Sequence, residues 1–456
     1  MMLEFYSNRK VWGTHRVYKE TIKFDKIVEE VYDEAKKSEG INPPIAIFAY
    51  GSPGRYELTR GDSDADIFIA EPSRSDEGDK FKKILKQRWG AFDFSKIDVP
   101  PWSTYEDIEI FLRTSLVEGN RILETRFICG NEDVRRNVEE KKKKFDSLHR
   151  ELVNIIFNRL YFDQYFKQRV RDGARNIKYC NGGTRDFLFI YWYDRLCKKV
   201  NGEDTSLSGL TQPKIKEGLE RLMMEGSING EQFGKAIEAV NGLIELRTDA
   251  LIVNRGTNER GLSVLDEELI RRLQKDFGYP DRKIIKNFFD YITTSIDDVV
   301  KVVWRKTIEI GSIFYGKKWG EHIELACSVD TPQRDRVRIP DTDTSTRIAL
   351  LWGTTNSGDK EEFEILSKRY KDTTEWETLA SIACSPFCSQ EILHNIGTGI
   401  AKENGYGYIL RIVGRNKNSS KETLREIAED PSLDKRYSEV ARTALKVGNR
   451  GANNLI

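Results

Sequence analysis

Four residues near the start of the chain carry groups able to do chemistry together: Gly51, Ser52, Asp64 and Asp66, within FAYGSPGRYELTRGDSDADIFIAE. A glycine directly after a strand lets the backbone approach a phosphate closely. The Ser52 hydroxyl can donate to the same phosphate, and Gly54 keeps the turn small. Asp64 and Asp66 stand two apart on an expected strand, so their side chains share one face. Two crowded carboxylates repel one another unless a divalent cation lies between them. Oxygen donors of this kind suit Mg²⁺, or Mn²⁺, together with substrate phosphates. Two such ions about 4 Å apart stabilise the attacking and leaving oxygens of an in-line displacement. A third carboxylate is expected from a neighbouring strand: Asp98 in KIDV, with Asp93 as the alternative. It would ligate the second ion and help deprotonate an acceptor hydroxyl. A lone Asp-x-Asp is commonly a turn entering a strand. The ordered combination is more specific and points to a substrate phosphate and its metal.

Several elements must hold these groups in place. Residues 18–38 alternate apolar and charged side chains at helical spacing, and Asn42-Pro43-Pro44 ends that run. Residues 45–50 (IAIFAY) read as a buried strand. Residues 65–70 (ADIFIA) read as a second, with Asp66, Phe68 and Ala70 on one face and Ala65, Ile67 and Ile69 on the other. A polar loop (71–79), a helix around FKKILKQRW, a third strand near 93–99 and a helix over 105–127 complete the unit. From about 140 to 310 the pattern is almost wholly helical, and the charge run 139–144 reads as a solvated face. The segment 311–346 reads as an irregular, polar junction. Beyond it, Thr378-Leu379-x-x-Ile382-Ala383-x-x-Pro386 recurs as Thr423-Leu424-x-x-Ile427-Ala428-x-x-Pro431, 45 residues on. That period fits stacked helical units. The expected class is α+β: a small mixed-sheet domain (1–135), a helical bundle completing the cleft (136–312), a linker (313–346) and a helical-repeat region (347–456).

Bulk properties narrow the function classes. With 38% hydrophobic and 32% charged residues, the chain has material for real cores under a strongly solvated surface. A formal charge of +1 does not indicate nucleic-acid binding. No apolar run reaches the ~18 residues that span a bilayer, and the N-terminus lacks a signal-peptide core. Six scattered cysteines without a Cys-x-x-Cys pair read as reduced thiols in a cytoplasmic protein. Cys384 and Cys388, four apart, read as packing residues. So does the aromatic run FLFIYWYDRL (187–196).

The Gly-Ser and Asp-x-Asp segment resembles the nucleotidyltransferase superfamily, and within it the bacterial protein-PII uridylyltransferases. The matches are Gly51, Gly54, Arg55, Glu57, Leu58, Ser63, Asp64 and Asp66. NIKYCNGGTRDF (176–187) is similar to that family's second motif at Asn176, Lys178, Gly182, Gly183, Arg185 and Asp186. LETRFICGN (123–131) and residues 246–281 extend the likeness, which covers roughly 30–310. The resemblance implies that Gly51, Ser52 and Arg55 hold triphosphate oxygens and that Asp64 and Asp66 hold Mg²⁺. Lys178 and Arg185 would face the nucleotide from the helical domain, one as a compact charge and the other as a bidentate fork. The departures are Ser52 and Pro53 in the phosphate loop and Leu251-Ile252 where the family has Leu-His. The histidines His15, His149, His322 and His394 are none of them followed by Asp, so that family's phosphohydrolase module has no counterpart here.

The expected activity is therefore transfer of a nucleoside monophosphate from an NTP to a hydroxyl, with pyrophosphate leaving. A protein acceptor recruited through the C-terminal helices is the leading reading. RNA, a small molecule or another nucleotide as acceptor is the second, and a non-catalytic nucleotide-sensing scaffold the third.

Overall fold

The computed structural model describes residues 13–39, 44–51, 67–73, 75, 76, 80, 81, 83, 84, 87, 103–114, 122–146, 177, 180, 182–184, 186–203, 211–253, 265–328, 330–336, 338–341, 343–403, 407–433 and 435–447. The fold is α+β. Its described residues form two compact units, the first ending at Arg305 and the second beginning at Lys306. That division falls near, but not at, the expected 312/313 boundary, and the first unit takes in residues from both the expected sheet and bundle domains.

The sheet of the first unit is small and mixed. β1 (Ala46–Ala49) lies between β2 (Ile67–Glu71) and β4 (Arg126–Gly130), antiparallel to both, and the two-residue β3 (Ser103–Thr104) runs parallel to β2. Alternation sorts its side chains into two layers. On one face Ile45, Ile47, Ala49, Ile67 and Ile69 pack against Phe24, Val28, Val31 and Ala35 of α1 (Gly13–Glu39). Burying each large aliphatic or aromatic side chain stabilises the layer by about 1.5–3 kcal/mol. The other face carries Phe48, whose ring lies 5.9 Å from Phe68 and 5.7 Å from Phe127. Arg126 of β4 grips Asp25 of α1 through two 2.9 Å hydrogen bonds, which fixes the helix across the sheet.

β4 corrects the expected helix over 105–127. α2 is described over Tyr105–Thr114, residues 115–121 lie outside the described residues, and residues 126–130 are a strand. The strand was hidden because only Ile128 along it is buried, so no alternation shows. It ends at Gly130, φ +121°, where a Cβ would stand 2.5 Å from the Ile45 carbonyl oxygen. Asn131 then caps α3 (Glu132–Asp146), accepting from the amides of Asp133 and Val134. The charge run on α3 is not all solvated: Lys142 is buried and donates to the Thr125 carbonyl at 2.9 Å. The expected strand near 93–99 lies outside the described residues.

The helical part comprises α4 (Phe187–Val200), α5 (Thr211–Met224), α6 (Gly230–Val253), α7 (Glu267–Phe277) and α8 (Arg282–Tyr315), the last running on into the second unit. α6 packs on α1, which joins bundle and sheet.

In the second unit the expected linker over 313–346 is replaced by helices: α9 (Lys317–Cys327) and α10 (Gln333–Arg336). Its polar residues mislead because one of them makes a buried cross-link. Arg336 is 1% exposed and donates to Glu362 at 2.7 Å, and to the carbonyls of Ser328 and Thr331. Then follow α11 (Thr344–Ser357), α12 (Lys360–Tyr370), α13 (Trp376–Cys384), α14 (Gln390–His394), a π-helical stretch (Asn395–Ile400), α15 (Ala401–Glu403), α16 (Gly407–Arg415), α17 (Lys421–Glu429) and α18 (Lys435–Val447).

The 45-residue sequence match does not set the spacing of these helices, in which like N-caps recur about every 30 residues. The N-caps Asp359, Ser389 and Ser420 are spaced 30 and 31 apart, and the turns before them stack. The Thr355 hydroxyl donates to the Ser385 hydroxyl at 3.1 Å. The Asn416 amide donates to the carbonyls of Ala383 and Ser385 at 2.7 and 2.9 Å. The Asn418 amide donates to those of Pro386 and Cys388. The 45-residue match arose because α13 and α17 both bury the same Thr-Leu-x-x-Ile-Ala stripe, although they hold different places in the repeat.

Candidate active site

β1 delivers Gly51 with φ +58°, a left-handed conformation that glycine adopts without a Cβ clash. Ala49 pairs with Ile67. The segment between the two strands therefore leaves and re-enters the sheet at one end, bracketed by a glycine and by the residue after Asp66. Ser52, Arg55, Asp64 and Asp66 lie outside the described residues, and so do Asp98 and Asp93. The buried Glu71 closes the opposite end of β2, about 13 Å along the strand from Ile67 at the usual rise per residue. Among the described residues no group of three or more His, Cys, Asp and Glu side chains could hold a metal ion. Cys384 and Cys388 are packed in the core, and burial pushes the Cys388 thiol up to about 12. That is the reverse of what a ligand or nucleophile needs.

The second motif resolves into a tight loop. The Gly183 amide donates to the Cys180 carbonyl and the Thr184 amide to the Ile177 carbonyl, both at 2.9 Å. The Gly182 amide donates to Asp186 Oδ2 at 2.6 Å, and Asp186 is wholly buried. Gly182 has φ +74°, and a Cβ there would stand 1.7 Å from the Thr293 carbonyl oxygen of α8. Gly182 and Asp186 thus serve the loop's own geometry and its seat against α8. Asn176, Lys178 and Arg185 lie outside the described residues. The aromatic run that follows is core, as expected, with residues 187–197 buried on α4. The Tyr193 hydroxyl donates to Glu225 at 2.9 Å, and burial raises its pKa. In the stretch 246–281, Tyr279 donates to the buried Asp249 at 2.8 Å, which ties the segment after α7 to α6.

A charged cluster that the sequence reading passed over lies between α4 and α5. Tyr191, Arg195 and Lys198 are spaced at i, i+4 and i+7, one helix face. That spacing was a visible signal, masked by the hydrophobic run around it. Asp194 accepts from Lys198 at 2.8 Å and from Arg221 at 3.0 Å, and Glu217 accepts from Lys198 at 2.5 Å. Lys214 lies 6.0 Å from the centre of the Tyr191 ring, and the Arg195 guanidinium 5.6 Å from that of Trp192. Burial pushes the Lys214 ammonium down to about 8; Lys198 and Arg195 push the same way, and Glu217 and Asp194 oppose them. Gly218 lets the two helices approach, since a Cβ there would stand 2.8 Å from the Ile190 carbonyl oxygen.

Among the described residues no helix is long and apolar enough to cross a membrane. No known family model matches the chain, and no curated protein is significantly similar to it.

Proposed function

We propose that this protein is a metal-dependent nucleotidyltransferase that moves a nucleoside monophosphate from an NTP to a hydroxyl of a protein acceptor, releasing pyrophosphate. The observation that carries the reading is the pairing of Ala49 with Ile67 beside the left-handed Gly51. It supports the reading in that Ala49 and Ile67, the paired strand ends on either side of the segment, stand at the same end of one sheet. In this reading Gly51, Ser52 and Arg55 hold the triphosphate. Asp64, Asp66 and Asp98 are an all-oxygen donor set that fits Mg²⁺ or Mn²⁺. When bound, such an ion neutralises charge on the phosphate oxygens. Asp98 takes the proton of the acceptor hydroxyl, whose oxygen bonds to the α-phosphorus as the bond to the bridging oxygen breaks and pyrophosphate leaves. Lys178 and Arg185 hold the nucleotide from the helical side. The stacked helices of the second unit recruit the acceptor. In this reading the six free cysteines stay reduced in a cytoplasmic compartment.

The test is to incubate the chain with each of four α-labelled NTPs, Mg²⁺ and a cell lysate. Label is expected on a protein band and is expected to vanish in the Asp64→Ala, Asp66→Ala double variant. Undiminished labelling in that variant rejects the assignment. Short labelled nucleotides without a labelled protein would move the acceptor to RNA, a small molecule or a second nucleotide.

A further inference from the structure

We propose that the groove between α6 and α8 is a docking site for an extended peptide segment of another protein, one with basic, acidic and basic side chains at alternate positions. The groove has a volume of about 460 Å³ and is lined by Gln232 and Lys235 of α6 and by the α8 face from Asn287 to Val299. That volume is in the range of sites that hold a ligand. The two helices run antiparallel here. A Cβ on Gly242 would stand 2.6 Å from the Phe288 ring, and earlier along α6 Glu238 accepts from the Tyr291 hydroxyl at 3.3 Å. Continuing that register places Lys235 opposite Thr294 and Ser295, both of which line the groove.

The charges alternate along the groove. Asp290 and Asp298 are about 12 Å apart along α8 at the helical rise per residue, and Lys235 comes between them from α6. The neighbouring ion pairs leave this pattern in place. Glu231 holds Lys235 at 2.6 Å from its own helix, and an ammonium with three donors can meet a second anion. Lys301 is bonded to Asp297 at 2.8 Å, nearer than the 3.5 Å to Asp298. In an extended chain alternate side chains share a face and stand about 6.6 Å apart, so positions i and i+4 are about 13 Å apart. That length matches the two carboxylates, and position i+2 meets Lys235. A free polyamine offers the two cations without the anion between them. Tyr291, 36% exposed and next to Asp290, adds a ring face for the first cation. The Ser295 hydroxyl donates to the Tyr291 carbonyl at 2.9 Å, which leaves its oxygen to accept a peptide N–H. The groove lies within the first unit, its residues belong to neither sequence motif, and it does not rest on the proposed transfer reaction.

The experiment is fluorescence anisotropy of labelled peptides titrated with the full chain at low ionic strength. The probe carries Lys-Ala-Glu-Ala-Lys between uncharged flanks. Two comparison peptides carry Glu-Ala-Lys-Ala-Glu, which inverts the charges, and Lys-Lys-Ala-Ala-Glu, which keeps the composition and loses the spacing. The probe is expected to bind about fivefold or more tighter than either. Exposed ion pairs are individually weak, so the double change Asp290→Asn, Asp298→Asn is expected to lose about tenfold. The same loss of charge on α12, Glu361→Gln with Glu364→Gln, is expected to change nothing. Lys235→Glu is expected to reverse the middle preference, so that Lys-Ala-Lys-Ala-Lys binds tighter than the probe. All the substituted side chains are exposed, and circular dichroism checks that each variant is folded. Equal binding of the three peptides by the wild type overturns the proposal without recourse to any variant. So does an unchanged affinity in the Asp290/Asp298 variant, an equal loss in the α12 variant, a Lys235→Glu variant that keeps the original preference, or spermine bound as tightly as the probe. Peptide binding is also read in the Asp64→Ala, Asp66→Ala background, where it is expected to persist, so failure here leaves the transferase reading standing and the reverse holds too.

Discussion

Replacing Gly182 by alanine separates packing from chemistry in the second motif. Two costs add. A residue with a Cβ held at φ +74° loses about 1–2 kcal/mol against a right-handed conformation. The new methyl would also stand 1.7 Å from the Thr293 carbonyl oxygen and 2.5 Å from its carbon. Backbone of α8 or of the loop must shift, which at overpacked sites costs typically 1–3 kcal/mol or more. The sum is about 2–5 kcal/mol, a large fraction of an ordinary domain's stability. Gly226 supplies the control within the same unit. Its φ is +69°, and nothing lies within 4 Å of the place its Cβ would take, so Gly226→Ala carries the conformational cost alone. Urea titration of both variants by circular dichroism is expected to show Gly182→Ala losing at least twice what Gly226→Ala loses. Equal losses would refute the packing account. Under conditions where Gly182→Ala remains folded, nucleotide affinity is expected to be kept. Losses that appear without unfolding are instead expected from Lys178→Ala and Arg185→Ala.

Further predictions concern the second unit. Glu362→Leu leaves Arg336 buried without its 2.7 Å partner and is expected to cost about 3–5 kcal/mol, whereas Arg336→Met with Glu362→Leu costs far less; urea midpoints decide. Asn416→Ala leaves the Ala383 and Ser385 carbonyls without their donor and is expected to cost about 1–3 kcal/mol, read as faster amide exchange in the adjoining turns. The hydrogen bond from Lys402, with those from Ser432, holds the Asp430 carboxyl down to about 2. Because that value lies below the unfolded one, the contribution is present at neutral pH and is lost as pH falls through about 2. An Asp430→Asn variant is expected to lack this step in an acid titration followed by circular dichroism.

Some of this architecture could be read from residues alone, for physical reasons. β1 and β2 showed because both faces of those strands are buried, leaving unbroken apolar runs. β4 did not, since Arg126 spends its charge on Asp25, and a charged residue beside a single buried isoleucine resembles a helix end. The polar stretch 313–346 misled in the same way, with Arg336 neutralised by a residue that arrives only in α12. In the second motif, sequence could name Gly182 but not its purpose, because the obstacle is a carbonyl of α8, far along the chain. The Lys214 cluster is also non-local, being made where two helices meet.

The seam of stacked turns bears on how such a chain can change length over evolution. Thr355, Ser385, Asn416 and Asn418 reach their neighbours through short side chains, so a residue inserted or deleted there breaks bonds to the adjoining turn. The connection between α12 and α13 lies between two seam turns and that between α17 and α18 follows the last one, both outside this ladder. A residue added early in the α12–α13 connection, before Glu375 ties back to Thr344 and Arg347, therefore leaves the bonds between the stacked turns intact, and that is where a new loop could arise without loosening the stack.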